Sequence, residues 1–257
     1  MINLEQTSGL PIELTDDFHL RFKDPLKEVS VSVRKFADMM PVWMDQGGKP
    51  SPTREDMYYM YRDVHLPEHE DEIRKNNLRY DMTILPAAMI GREFNKTVGH
   101  YHPIIPGKKI AYPEFYEVIE GEGLFMIQKV DESGKNILDI QATIARTGDK
   151  IVYPPDYGHI MVNIGKGPLI TSNWEADNFK SIYEPVRDMA GMGYYVVAND
   201  QGRYDFVPNK KYLSVPGIKI NKASDSPGFG LVVNEPMYIT GIKDLSKFDY
   251  LNNPEKY

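Results

Sequence analysis

The chain predicts an all-β protein, a closed β-barrel or jelly roll with mixed extensions at both ends. Short apolar runs recur between about Tyr80 and Trp174, turn residues separate them, and no repeat or low-complexity tract breaks the 257 residues. Short strands at that density pack as sandwiches or barrels.

Residues 1–50 are mixed, with one alternating run at Val29-Ser30-Val31-Ser32-Val33 that predicts a strand, apolar on one face and polar on the other. The stretch Ser51-Pro52-Thr53-Arg54-Glu55-Asp56 opens like a helix. It offers a capping hydroxyl and early acids, then Met57, Tyr58 and Tyr61 at helical spacing. Strands are then expected at Met82-Thr83-Ile84-Leu85, Phe115-Tyr116-Glu117-Val118-Ile119, Leu124-Phe125-Met126-Ile127 and Asp149-Lys150-Ile151-Val152-Tyr153. Gly121-Glu122-Gly123 reads as a tight hairpin connection between two of them. After residue 185 the pattern is mixed and turn-rich, ending in Asn252-Asn253-Pro254-Glu255-Lys256-Tyr257. No linker stands out. The expectation is one domain over 1–257, with a core at 80–185, an N-terminal extension at 1–79 and a C-terminal extension at 186–257.

Composition narrows the function. Hydrophobic residues at 41% and charged residues at 26% describe a soluble globular chain. A net charge of −7 argues against a general nucleic-acid or anionic-membrane binder, which carries a basic face. No run approaches the roughly 18 apolar residues of a membrane span. The N-terminus, MINLEQTSGLPIELTDDF, lacks the basic-then-apolar order of a signal peptide, so the expected compartment is the cytoplasm. Cysteine is absent, so any metal must rely mainly on nitrogen and oxygen ligands.

Two of the six histidines stand two apart in Thr97-Val98-Gly99-His100-Tyr101-His102-Pro103. On a strand, residues i and i+2 share a face, so both rings point the same way. Such a pair grips a metal ion or merely decorates a solvated strand. Glu114 and Tyr116 share one face of the next strand, with Phe115 and Glu117 on the other, and His159 begins a later strand. Three imidazoles and a carboxylate suit one divalent ion of Fe, Mn, Co, Ni or Zn. His65 and His69, in acid-rich HLPEHEDE, read as solvated surface, and His19 stands alone.

The full series is His100-x-His102, Glu114, Gly121, then Gly148, Pro154, His159 and Asn163, and it resembles the two-part cupin motif. The interval from His102 to Glu114 is longer than usual, and Asp156 replaces the commoner glycine of the second motif. More narrowly, KTVGHYHP, PEFYEVIEGEG and VYPPDYGHIMVNIG are similar to the cupin-type glucose-6-phosphate isomerases first described in archaea and also found in bacteria. The likeness is strongest over about residues 80–185 and more diffuse at Asn209-Lys210-Lys211-Tyr212 and the final LNNPEKY.

That resemblance implies a metal-dependent glucose-6-phosphate/fructose-6-phosphate isomerase of glycolysis and gluconeogenesis, a homodimer acting on a small sugar phosphate. It implies metal ligation by His100, His102, Glu114 and His159, and phosphate binding by Thr83, Thr97 and Gly99. Glu114 is then the candidate base and Tyr116 a hydrogen-bond donor or proton relay; Tyr116 as a barrel-filling aromatic is the plain alternative. Lys96 and Arg92 lie close enough in sequence to add charge at the phosphate, or are simply solvated cations. Archaeal members carry a His-Asp-Tyr-Gly stretch shortly after the second motif. Here the segment is Lys180-Ser181-Ile182-Tyr183-Glu184, which keeps a tyrosine, Tyr183, at a one-residue shift and lacks the histidine. A different sugar phosphate, a cupin oxygenase and a non-catalytic sugar-binding cupin stay open. So does hydride shift as an alternative to proton transfer.

Overall fold

A computed structural model of the chain describes residues 1–233 and 235–257. Among the described residues, ten of the strands make the two sheets that frame the site. In chain order they are β1 (Val31–Lys35), β2 (Asp56–Tyr61), β3 (Leu78–Leu85), β4 (Glu114–Glu120), β5 (Glu122–Val130), β6 (Ile137–Arg146), β7 (Lys150–Tyr153), β8 (Gly158–Asn163), β9 (Leu169–Ala176) and β10 (Lys219–Lys222). The six-stranded sheet runs β7-β4-β9-β3-β2-β1 and the four-stranded sheet β8-β5-β6-β10. Every pairing is antiparallel except that of β6 with β10. From β4 to β9 the chain passes repeatedly between the sheets, as a jelly roll does. The fold class is the one expected, as a double sheet; among the described residues no hydrogen-bonded ladder closes it into a barrel.

Strands β3, β4 and β9 of the six-stranded sheet are buried on both faces. Its inner face meets the four-stranded sheet through Tyr116, Val118, Leu85 and Tyr58, against Leu124, Met126 and Ile160. Its outer face carries Phe115, Ile119, Trp174, Tyr80, Met82 and Ile84, covered by Leu4, Leu10 and Ile12 from the N-terminus and by Phe248 and Leu251 near the C-terminus. Strand alternation assigns neighbouring residues to different cores. Among the described residues no helix is long and apolar enough to cross a membrane.

Two local expectations are corrected. The stretch expected to begin a helix holds the short strand Pro50–Ser51 and then β2. In Met57-Tyr58-Tyr59-Met60-Tyr61 both faces are apolar because both are buried, so no polar alternation marks the strand, and the spacing imitates a helix. The Gly121 turn is not a hairpin, because β4 and β5 pair with other strands and lie in different sheets. Gly121 turns a corner at φ +95°, where an added Cβ would lie 2.4 Å from the Pro168 carbonyl oxygen. The run expected from Val29 is a strand from Val31.

Candidate metal and substrate site

Strand pairing brings the distant ligands together. The segment after Lys96 lies alongside β8: Thr97 N–H donates to Met161 O at 2.9 Å, and His100 and His159 exchange backbone hydrogen bonds at 3.2 and 2.9 Å. Their rings therefore meet with centroids 4.3 Å apart. Gly99 makes this approach possible. It adopts φ +82°, and an added Cβ would lie 2.2 Å from Ile160 Cγ2 and 3.2 Å from the His159 carbonyl oxygen. His102 joins from two residues on, with Nε2 3.2 Å from His100 Nε2. Glu114, at the start of β4, puts Oε2 3.4 Å from His102 Nε2 and 3.2 Å from His159 Nε2. One ligand atom from each of the four lies within 4.8 Å of the others.

These atoms fit a divalent cation better than they fit one another. His102 Nδ1–H donates to the carbonyl oxygen of Tyr112 at 3.0 Å, which leaves the Nε2 lone pair facing inward. Glu114 Oε2 and His159 Nε2 are buried, yet neither has an aligned hydrogen-bond partner among the described residues. Burial holds His102 down to about 4 and His159 to about 3. His100 is held well below the usual imidazole range by burial and then by its two imidazole neighbours. Neutral imidazole is the ligating form. Burial raises Glu114 to about 7, against the pull of His102 and the phenol of Tyr116.

Both departures from the cupin pattern have a local cause. The long interval after His102 forms a small loop closed by an Ile104–Ala111 bridge. Asp156 stands at φ +67°, the left-handed conformation that explains why glycine is usual there. Its carboxylate also accepts the Ala111 N–H at 3.0 Å and so pins the loop.

A cavity opens beside the four ligands. It is lined by Thr83, Thr97, Gly99, His100, Glu114, Tyr116, His159 and Tyr183, so the structure gathers every candidate there except His102, which lies behind. The Thr97 hydroxyl accepts the Met161 N–H at 3.1 Å, leaving its own proton for a ligand. Tyr183 lies against His100, centroids 5.2 Å apart. Ser181 also lines the wall, in the segment where the archaeal histidine is missing.

The structure does not bring Lys96 or Arg92 to this wall. Lys96 is buried elsewhere, ion-paired to Glu93 and donating to Val42 O at 2.6 Å, while Arg92 is exposed. His65 and His69 are half-buried rather than solvated, and His69 Nδ1 meets Tyr238 Oη at 2.8 Å.

Sequence reasoning missed Tyr58, Arg62, Asp81, Asn173 and Glu175, which also line the cavity. Inner-face register unites them: Asn173 pairs with Asp81, Thr171 with Thr83, and Thr83 with Met60. Arg79 holds the acids in place. It donates to Asp81 at 2.9 Å and Asp177 at 3.1 Å, and it contacts Glu175. Arg62 donates to Asp81 at 3.2 Å. Alternation along each strand was the available signal, but only pairing shows which strands adjoin.

Comparisons with known proteins bear on the family. A family model described as Glucose-6-phosphate isomerase (GPI) matches residues 33–212. The chain is 27% identical over 145 residues to a glucose-6-phosphate isomerase of Thermococcus litoralis, covering 56% of this chain and 69% of that one. It is 29% identical over 140 residues to one from Thermococcus gammatolerans, at 54% and 65% coverage. A Pyrococcus furiosus relative is 27% identical over 139 residues, at 54% and 66%. Each match thus spans about two thirds of the relative. Among solved structures, an oxalate oxidase complexed with glycolate shares 20% identity at a TM-score of 0.32, over 43% of this chain and 47% of that one, a distance without functional meaning.

Proposed function

The chain belongs to the glucose-6-phosphate isomerase family, and from that membership we propose that it interconverts glucose 6-phosphate and fructose 6-phosphate with one divalent metal ion. The observation that carries the reading is the convergence of His100, His102, Glu114 and His159 beside a cavity with two threonine hydroxyls on its wall.

His100, His102, Glu114 and His159 would hold the ion. Once bound, it supplies Lewis-acid stabilisation of the negative charge that develops on the C1 and C2 oxygens. Glu114 carries the proton. From fructose 6-phosphate it takes a C1 proton and returns it to C2, while the C1 hydroxyl proton passes to the C2 oxygen, so that no proton is gained or lost over the cycle. Glu114 Oε2 faces the imidazoles, so Oε1 is the oxygen assigned to this transfer. Tyr116 shares the inner face of β4 and donates to a sugar oxygen. Thr83, Thr97 and the N–H of Gly99 receive the phosphate, and Tyr183 closes the wall beside His100. The family reading further assigns a cytoplasmic homodimer acting in glycolysis and gluconeogenesis. Fe, Mn, Ni, Co and Zn are the candidate ions.

The test is a coupled assay on fructose 6-phosphate before and after chelation, with each metal added back singly. Turnover that disappears on chelation and returns with at least one divalent ion is expected. Unchanged turnover after complete metal removal would overturn the metal's part. Absence of glucose 6-phosphate in every arm would overturn the activity.

A further inference from the structure

Thr83, Thr97 and a backbone N–H carry no charge, whereas a sugar phosphate is a dianion. Lys96 is neutralised by Glu93 away from the wall, and Arg62 faces the carboxylate of Asp81. Arg34 differs from both. It lies half-buried on β1 as the register partner of Tyr58, and its Nε donates to Tyr58 Oη at 3.3 Å. Tyr58 Oη in turn lies 3.5 Å from the N–H of Val98, the residue between Thr97 and Gly99. The guanidinium is thus linked through the Tyr58 hydroxyl to the Val98 N–H, just outside the residues that line the cavity. Among the described residues no carboxylate comes within ion-pair distance of it.

A second arginine strengthens the case. The Arg34 guanidinium lies 5.4 Å from the centre of the Tyr183 ring, and that of Arg187 lies 5.8 Å from the same ring. Arg187 Nε is buried without a hydrogen-bond partner among the described residues. Two like charges share one ring, with Asp38 the acid whose charge is felt at Arg34, and an anion placed between the two guanidiniums is attracted by both. The planar donor fork of arginine matches phosphate oxygens two at a time.

We propose that Arg34 is the charged anchor for the substrate's phosphate group, reaching it beside Thr97 and Gly99, with Tyr183 and Arg187 positioning it. This rests on the sugar-phosphate reading and deepens it, because it assigns the preference for phosphorylated over free sugars to one side chain.

The experiment compares wild type, Arg34→Gln and Arg34→Lys in metal-loaded form, by calorimetric titration with inorganic phosphate and by kinetics on fructose 6-phosphate. A lost hydrogen bond to a charged group weakens binding about tenfold to a hundredfold. That loss is expected for Arg34→Gln, in phosphate affinity and in KM more than kcat, with metal content unchanged and partial recovery in Arg34→Lys. Thr97→Val serves as the comparator within the same wall. Phosphate affinity within twofold of wild type in Arg34→Gln, while Thr97→Val weakens it, would overturn the assignment. No phosphate binding by the wild type would overturn it as well. If phosphate binding depends on Arg34 but fructose 6-phosphate is not turned over, the isomerase reading fails and this inference stands. Should Arg34→Gln not fold, Arg34→Lys decides, because it keeps the charge and loses the fork: unchanged affinity there overturns the bidentate anchor.

Discussion

At the scale of single residues, the proton on Glu114 is the quantity to measure first. Burial raises this carboxyl to about 7, while His102 and His159 are held at about 4 and 3 and His100 is also lowered. At pH 6 the metal-free site therefore holds neutral imidazoles and a largely protonated carboxyl. Metal entry must displace that proton and has none to take from the rings. Calorimetry in buffers of different ionisation enthalpy should show release of about one proton per ion at pH 6, falling towards zero as pH rises past 8. Release of about three would mean that the imidazoles are charged at rest, contrary to their burial. The same residue tests the mechanism. Glu114→Gln should abolish turnover even in excess metal, and wild type working in D₂O should place some deuterium at C2 of glucose 6-phosphate. An active Glu114→Gln enzyme with no deuterium incorporated would point to hydride transfer and reduce Glu114 to a ligand.

At the scale of elements, Gly99 fixes how closely its segment approaches β8. Placing a non-glycine residue at positive φ costs about 1–3 kcal/mol, and the Cβ would also meet Ile160 and the His159 carbonyl. Gly99→Ala should lower the unfolding free energy by at least that amount. It should also lose metal, because His100 and His159 are forced apart; elemental analysis beside a urea titration checks both. Retained metal at full occupancy would show that the backbone gives way elsewhere. This element also marks what the sequence could disclose. His100-x-His102 and the two faces of Glu114-Phe115-Tyr116-Glu117 were legible because a strand's period of two is a local property. Tyr58 was assigned to a helix because its strand is apolar on both sides. Arg62, Asp81 and Glu175 line the cavity, and alternation along the strands was too weak a signal to place them there. Their place at the cavity depends on which strands adjoin and in what register, and those are non-local facts.

At the scale of the whole molecule, the six-stranded sheet separates two cores, and Phe248 belongs to the outer one. Its ring packs on Phe115 and Trp174 at centroid distances of 5.2 and 5.9 Å. A fully buried Phe→Ala change costs about 3–5 kcal/mol. Phe248→Ala should lower stability by that order in denaturant titration while KM for fructose 6-phosphate and metal content stay at wild-type values. A change in KM as large as that of a cavity mutant would show that the sheet transmits strain across its thickness.

The outer cover therefore has a bearing on adaptation. Because the residues laid over Phe115 and Trp174 come from the N- and C-terminal segments and belong to a core that contains none of the four ligands, they are free to drift without consulting the chemistry. Lineages facing heat or cold can tighten or loosen that padding and keep one substrate preference. An engineer seeking a hardier catalyst should begin there, with the catalytic face left as it stands.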